Sequence, residues 1–126
     1  MTMILYHNPN CSKSRAALAL LEASGHPFII REYLKDPLDA SEIRDLLTLL
    51  DIEPNALIRS KEPILKTHNI DLLTCNRGEL IELMVLHPIL IERPILAVAN
   101  KASIGRPIER ITALVNQYAP NLGSAR

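Results

Sequence analysis

The chain has 126 residues, of which 48% are hydrophobic and 3% aromatic, and 14 Lys and Arg residues balance 14 Asp and Glu residues. This length is typical of one domain, which we take as residues 1–126. Because these charges balance, the chain has no net charge that would attract nucleic acid or an anionic membrane. The scarcity of aromatic rings argues against a function in which they stack on nucleic-acid bases. With no apolar run of about 18 residues, we expect no membrane partner and a cytoplasmic location.

The cysteines and histidines give no sign of a bound cofactor. Cys11 and Cys75 are the two cysteines, and the four histidines lack zinc-ligand spacing. The four glycines form no phosphate-binding loop and no dinucleotide-binding pattern. We therefore expect free thiols in a reducing compartment, no metal and no bound cofactor.

The first elements along the chain place Cys11 between a strand and a helix. Residues 3–6 are apolar and precede an Asn-Pro turn, which predicts a short buried strand. After Cys11, Ala17 and Leu21 share one face of a predicted helix. Backbone N–H groups at a helix start are unpaired and carry the positive end of the dipole, so this position favours the reactive thiolate.

Two cations lie next to Cys11. Lys13 and Arg15 occupy the first helical turn, where acids are normally preferred, and the first acid is Glu22. A bound anion, or the thiolate itself, would make these cations favourable, and a departure from a local rule often marks a functional site. The alternative is a buried structural cysteine followed by solvated surface cations.

A second strand and a helical segment follow. A Gly-His-Pro stop at residues 25–27 precedes a predicted strand over residues 28–33, which completes a βαβ unit with parallel strands. Residues 38–90 are predicted as a helical insertion. It holds a capping box at Asp39 and Glu42 with an amphipathic helix after it, two short helical pieces at 55–58 and 64–68, and a helix over 77–86.

The last third returns to strands. Residues 95–98 predict a buried strand, Asn100 and Lys101 a tight connection, and residues 102–104 a return strand. Pro107 is predicted near the start of the last helix. The order β-α-β, helical insertion, β-β-α is that of a thioredoxin-like α/β fold, with a small four-stranded mixed sheet flanked by helices. A generic α+β sandwich is the alternative.

Three arginines lie at predicted element boundaries. Arg59 ends a helical piece, and Arg93 and Arg106 each precede a proline. Loops at such boundaries often carry function, and a planar guanidinium that donates in pairs suits a tetrahedral oxyanion. The alternative is three solvated arginines.

Four motifs, in order, resemble those of one family. The run YHNPxCxxSR at residues 6–15 resembles the active-site motif of the thioredoxin-fold, glutaredoxin-coupled arsenate reductases. Residues 87–95 (HPILIERPI) and 105–107 (GRP) resemble that family's two later motifs, and residues 56–59 (ALIR) resemble the middle one. The resemblance covers residues 3 to about 118. Well-characterised arsenate-resistance enzymes tend to have Gly-Thr where this chain has Ser12 and Lys13. The Ser-Lys pair is more typical of a housekeeping branch of the family.

The resemblance implies the roles of the catalytic residues. Cys11 would be the nucleophile that attacks arsenic, Ser14 would donate a hydrogen bond to its thiolate, and His7 would tune the site. Glutathione would act as co-substrate, and glutaredoxin would be the partner that regenerates the thiol as arsenite leaves.

The resemblance also implies how the substrate is held. Arg59, Arg93 and Arg106 would bind arsenate, or a similar oxyanion, and its thiol adduct. Pro94 would follow a cis peptide bond, which X-Pro sequences adopt at a cost of about 0.5–1 kcal/mol.

Position 14 separates the remaining alternatives. Because Ser14 stands where a second cysteine would make Cys-x-x-Cys, the resolving thiol must come from elsewhere, and Cys75 is predicted to be structural. A further alternative is another glutathione-dependent thiol oxidoreductase. A third is a non-catalytic RNA-polymerase-binding regulator, although such regulators usually carry the disulfide that Ser14 rules out.

Overall fold

The computed structural model describes residues 2–118. Its strands are β1 (Met3–Tyr6), β2 (Ile29–Arg31), β3 (Ile95–Val98) and β4 (Lys101–Ile104). Its α-helices are α1 (Ser12–Ser24), α2 (Ala40–Leu50), α3 (Pro54–Leu57), α4 (Pro63–Thr67), α5 (Arg77–Leu86) and α6 (Glu109–Tyr118). Two 3₁₀ turns, Leu72–Thr74 and Pro88–Leu90, flank α5. In this part of the chain no helix is long and apolar enough to cross a membrane.

The four strands form one mixed sheet in the order β2-β1-β3-β4. The pair β1–β2 is parallel, whereas β1–β3 and β3–β4 are antiparallel. The first pair needs a crossover connection, which α1 supplies, and the last pair needs only a tight turn. The predicted α/β fold with a four-stranded mixed sheet flanked by helices is confirmed.

The described chain divides into two compact units, residues 2–33 with 93–118, and residues 34–92. The first unit holds the whole sheet together with α1 and α6. Alternate residues of β1 and β3 point to one face, because strand side chains alternate with period 2. There they form a buried core with the apolar stripes of the two helices: Met3, Leu5, Ala17, Leu21, Leu96, Val98, Ile111, Leu114 and Val115.

The second unit is built from α2 to α5. The predicted capping box of α2 is confirmed, since Asp39 accepts from the Glu42 backbone N–H and Glu42 accepts from that of Asp39. Asn76 and Glu79 form the same box at the start of α5. The two helices contact each other, and an isolated antiparallel bridge joins Ile58 to Ile91.

Two strand boundaries differ from the prediction. The second strand spans Ile29–Arg31 instead of residues 28–33, because its pairing with β1 ends where Tyr6 lies opposite Arg31 and the next residue, His7, donates to the Arg31 carbonyl. The return strand begins one residue early because Lys101 pairs with Val98, so the turn consists of residues 99 and 100. Ala99 adopts a positive φ of 54° there.

Three helix starts also differ. The two short helices begin at Pro54 and Pro63, one residue before the predicted pieces, because proline suits the first helical position. The last helix begins at Glu109 rather than near Pro107. The carbonyl of Pro107 accepts from the backbone N–H of Arg110, and that of Ile108 accepts from Ile111, so these residues cap the helix from outside.

Candidate active site

The register of the sheet gathers three chain segments at one edge of the first unit. Tyr6 at the end of β1 lies opposite Ile95 at the start of β3, and Ile95 lies opposite Ile104 at the end of β4. The segments that continue from this edge carry His7 to Cys11, Arg93 with Pro94, and Gly105 with Arg106. Residues distant in sequence therefore meet around Cys11.

Cys11 is the N-cap residue of α1, with extended backbone angles of φ −105° and ψ 123°. Its position is fixed by the loop before it, since the Cys11 N–H donates to the Asn8 carbonyl at 3.0 Å. In contrast to α2 and α5, the first turn of α1 contains no acid. A side-chain oxygen normally caps the backbone N–H groups at this position, but the Cys11 side chain forms no capping hydrogen bond.

The environment of the thiol favours its ionised form. Burial raises the pKa of Cys11, but the dipoles of the Ser14 and Lys13 backbone N–H groups and the Arg93 guanidinium together lower it by more. The charge of Arg93 acts in the same direction, so the net pKa lies below the ordinary value of 9.0. Such a thiolate is both a nucleophile and a good leaving group.

Ser14 and His7 form a buried polar pair beneath this loop. The Nδ1 atom of His7 lies 2.6 Å from Ser14 Oγ, and Ser14 Oγ accepts from the Asn8 backbone N–H at 3.0 Å. All three residues are buried, with Ser14 fully inaccessible. The side chains of His7 and Ser14 thus fix the backbone that leads to Cys11.

The pKa of His7 lies below its ordinary value of 6.5. Burial is the main cause, the charge of Arg15 adds to it, and the Glu32 carboxylate opposes it. A neutral imidazole carries one proton, which lies on either ring nitrogen. If Nδ1 is the bare nitrogen, the Ser14 hydroxyl donates to it; if Nδ1 carries the proton, it donates to Ser14 Oγ.

Arg93 presents donors at the same edge. It directly precedes Pro94, and the peptide bond between them is cis. Within residues 2–118, its Nε and Nη1 atoms are buried without a hydrogen-bond acceptor. Buried unpaired donors are costly, and an oxyanion would supply the acceptors that they lack.

Arg106 is anchored by main chain. Its Nε donates to the Arg93 carbonyl at 2.7 Å, and its Nη2 lies 3.7 Å from Cys11 Sγ. The peptide bond from Arg106 to Pro107 is also cis. Because Nε is committed to a carbonyl, the terminal nitrogens are the atoms that this guanidinium directs toward the thiol.

The arrangement combines a thiolate with two guanidinium groups and a helix start. Together they can hold a tetrahedral oxyanion beside the sulfur and stabilise the charge of a covalent adduct. In the described part of the chain, no cluster of three or more His, Cys, Asp or Glu side chains could hold a metal ion.

Arg59, the third predicted arginine, belongs to the second unit. Its Nε donates to Glu62 at 2.9 Å and its Nη1 to Glu92 at 3.1 Å. Burial lowers the pKa of Arg59, but the two carboxylates raise it above its ordinary value. Its role as an oxyanion ligand stays a prediction, and in this structure its guanidinium is paired with carboxylates.

Two residues of the site were missed in the sequence. Asn8 organises the loop, since its carbonyl accepts from Cys11, its side chain accepts from Asn10 at 3.0 Å, and its N–H donates to Ser14. The sequence predicts only a turn at Asn8 and includes it in the motif at residues 6–15, without indicating its contacts. Gly105 belongs to the motif at residues 105–107, but its close packing depends on tertiary contacts. Cys75 belongs to the second unit, and its Sγ lies 3.5 Å from the Asp71 carbonyl.

Known proteins are similar to this chain over most of its length. The family model described as the ArsC family matches residues 6–114. The chain is 40% identical to an arsenate reductase of Haemophilus influenzae over 116 residues, which cover 91% of this chain and all of that protein. It is 42% identical over 112 residues to uncharacterized protein YfgD of Escherichia coli, covering 88% of this chain and 94% of that protein.

A solved structure shows the same fold. An arsenate reductase from Vibrio cholerae superposes with a TM-score of 0.84 at 38% identity, covering 90% of this chain and 97% of the other.

Proposed function

This chain belongs to the ArsC family, and from that premise we propose that it reduces arsenate, or a similar tetrahedral oxyanion, through a covalent adduct on Cys11. The observation that carries the proposal is the placement of Arg106 Nη2 3.7 Å from the sulfur of a cysteine whose pKa is lowered. A nucleophile and an anion ligand thus share one site.

In the first step the Cys11 thiolate forms a sulfur–arsenic bond. One arsenate oxygen takes up protons and leaves as water. Arg93 and Arg106 hold the remaining oxygens and neutralise the charge that develops on them. The free Nε and Nη1 donors of Arg93 support this role, because they lack acceptors among residues 2–118.

Reduction then requires two further thiols, which we assign to glutathione and glutaredoxin. Glutathione displaces a second arsenate oxygen as water and forms a sulfur–arsenic bond. The glutaredoxin thiolate then attacks the glutathione sulfur, forming the mixed disulfide, and the electron pair of the broken sulfur–arsenic bond stays on arsenic, which is reduced by two electrons. Hydrolysis frees arsenite and the Cys11 thiol. The sum is arsenate plus glutathione plus one glutaredoxin thiol, giving arsenite, the mixed disulfide and water.

Two observations support an external donor. Ser14, at the position that would complete a Cys-x-x-Cys pair, is buried and hydrogen-bonded to His7. Cys75 makes its polar contact within the second unit. We place the reaction in the cytoplasm, where glutathione keeps thiols reduced.

The test is a coupled assay with arsenate, glutathione and glutaredoxin, repeated with each component withheld. We expect turnover to need all three and to vanish in Cys11→Ser but not in the matched Cys75→Ser. Turnover of a glutathione mixed disulfide without turnover of arsenate would instead identify a glutathione-dependent thiol oxidoreductase. Capture of RNA polymerase with neither turnover would identify a regulator.

A further inference from the structure

Gly105 has no room for a side chain. A Cβ atom built on it would lie 2.8 Å from Ile111 Cγ1, 2.9 Å from Pro94 Cγ and 3.1 Å from Ile111 Cδ1. Carbon atoms in contact prefer separations of about 3.5–4.0 Å. Neither neighbour can easily give way, because Pro94 is a closed ring and Ile111 is fully buried in the core.

The close approach coincides with a pair of hydrogen bonds. The Gly105 N–H donates to the Pro94 carbonyl at 2.8 Å, and Arg106 Nε donates to the Arg93 carbonyl at 2.7 Å. Two consecutive residues thus bind two consecutive carbonyls on the neighbouring segment. Both hydrogen bonds require the backbone of Gly105 to lie directly against Pro94.

We propose that Gly105 is a positioning residue for the reaction. Because it has no side chain, the backbone at this position packs directly against Pro94, and this packing holds the Arg106 guanidinium beside the Cys11 sulfur. The kinetic part of this inference rests on the proposed function, whereas the placement of Arg106 does not. Gly105 has no side chain with which to bind the thiol or the substrate, and it acts through Arg106.

The distances explain why the position is sensitive. To bring a new methyl group at 105 to ordinary contact distance, the chain must retreat by roughly 0.7 Å from Pro94 and Ile111. Arg106 is the next residue, so the same movement lengthens its bond to the Arg93 carbonyl. The contact of Arg106 Nη2 with Sγ is already 3.7 Å, so it has little tolerance for a further shift.

The experiment compares Gly105→Ala with Gly78→Ala. Both are made in a Cys75→Ser background, so that Cys11 is the cysteine whose alkylation is measured. Gly78 is the matched control, because a Cβ there meets only Asn76 Oδ1 at 3.5 Å. The first measurement is the pH midpoint of Cys11 alkylation. The second is protection of Cys11 from alkylation by arsenate, which gives an anion affinity without turnover.

We expect Gly105→Ala to raise the alkylation midpoint by at least half of the shift that Arg106→Ala causes, and to weaken arsenate protection on the order of tenfold. Gly78→Ala should change neither. In an Arg106→Ala background, Gly105→Ala should add no further shift, because a residue that acts through Arg106 has no effect once that guanidinium is gone.

Two results would overturn the proposal: an unchanged midpoint and protection in Gly105→Ala, or equal effects of Gly105→Ala with and without Arg106. Neither the alkylation midpoint nor the protection by arsenate requires the protein to reduce arsenate. If arsenate turnover is absent in the parent protein while Gly105→Ala shifts the midpoint, the proposed function fails and the positioning role stands.

A second variant covers the case in which Gly105→Ala does not fold. Gly105→Ala with Ile111→Ala gives the new methyl group the space of the Ile111 side chain and is compared with Ile111→Ala alone. The contact with Pro94 Cγ at 2.9 Å remains, so the midpoint should still rise. No difference between these two variants would also overturn the proposal.

Discussion

The Nη2 atom of Arg106 lies 3.7 Å from the sulfur of Cys11, although 95 residues separate them. The sheet brings them together, because the end of β1, the start of β3 and the end of β4 share one edge. The same edge carries Arg93, whose carbonyl holds Arg106 Nε at 2.7 Å. One arginine thus orients the other through its main chain, and both act on one thiol.

The first prediction concerns the acidity of Cys11. Its alkylation midpoint should lie below 9.0, because the backbone N–H groups at the start of α1 and the Arg93 guanidinium outweigh the effect of burial. Iodoacetamide rates against pH, measured in Cys75→Ser, would give the midpoint. Arg93→Ala should move it upward, whereas Arg77→Ala, which removes a cation paired with Glu53 in the second unit, should not. A midpoint at or above 9.0 would exclude an activated nucleophile.

Folding stability should respond to the same ionisation. A thiol whose folded pKa is lowered stabilises the folded state above its unfolded pKa, and this contribution is lost as pH falls through the folded pKa. Cys11→Ser should therefore flatten the rise in urea midpoint as the pH increases toward the unfolded value of 9.0. The control is Cys75→Ser. When it is introduced into both the parent and Cys11→Ser, the difference in urea midpoint between these two proteins should stay the same.

The second prediction concerns the two arginines. Arg93→Ala and Arg106→Ala should each lower kcat/KM by about 10²–10³, the range found when one donor to a charged transition state is removed. The lysine variants should recover little, because an ammonium cannot reproduce two fixed donors. Thermal unfolding would separate lost chemistry from lost fold. Normal kinetics in either alanine variant would remove that residue from the site.

Much of the fold could be predicted because its signals are local. The apolar runs of β1 and β3 and the helix after Cys11 are continuous in sequence, and the missing acid in the first turn of α1 marks the site without tertiary information. The polar contacts could not be predicted in the same way. The bond from Arg106 to the Arg93 carbonyl depends on strand register, and the pairing of Arg59 with Glu92 joins residues 33 positions apart.

The third prediction concerns Ser14. Ser14→Ala should destabilise the protein by about 1–3 kcal/mol, because it leaves the buried Asn8 N–H without its acceptor. Urea unfolding would measure this loss. Ser24→Ala is the control, since Ser24 donates to a carbonyl at the end of α1 and is less buried. A loss no larger than that of the control would mean that the buried contacts of Ser14 contribute little.

The fourth prediction concerns His7 and acid. Its folded pKa lies below 6.5, so above 6.5 both states are neutral and His7 adds no pH dependence. Below that value the unfolded chain takes up the proton first, and stability falls as pH decreases. The parent should therefore lose more stability between pH 7.5 and 5.5 than His7→Gln does. Identical losses in the parent and His7→Gln would contradict the assignment.

The last prediction separates an external from an internal resolving thiol. With glutathione and arsenate present but glutaredoxin withheld, mass spectrometry should find glutathione and arsenic on Cys11, and Cys75 should stay free. Cys75→Ser should keep at least half of the parent's turnover, because the polar contact of Cys75 is with the Asp71 carbonyl of its own unit. A disulfide requires Cα atoms within about 7 Å. Recovery of a Cys11–Cys75 disulfide, with turnover lost in Cys75→Ser, would replace the glutathione step by an intramolecular relay.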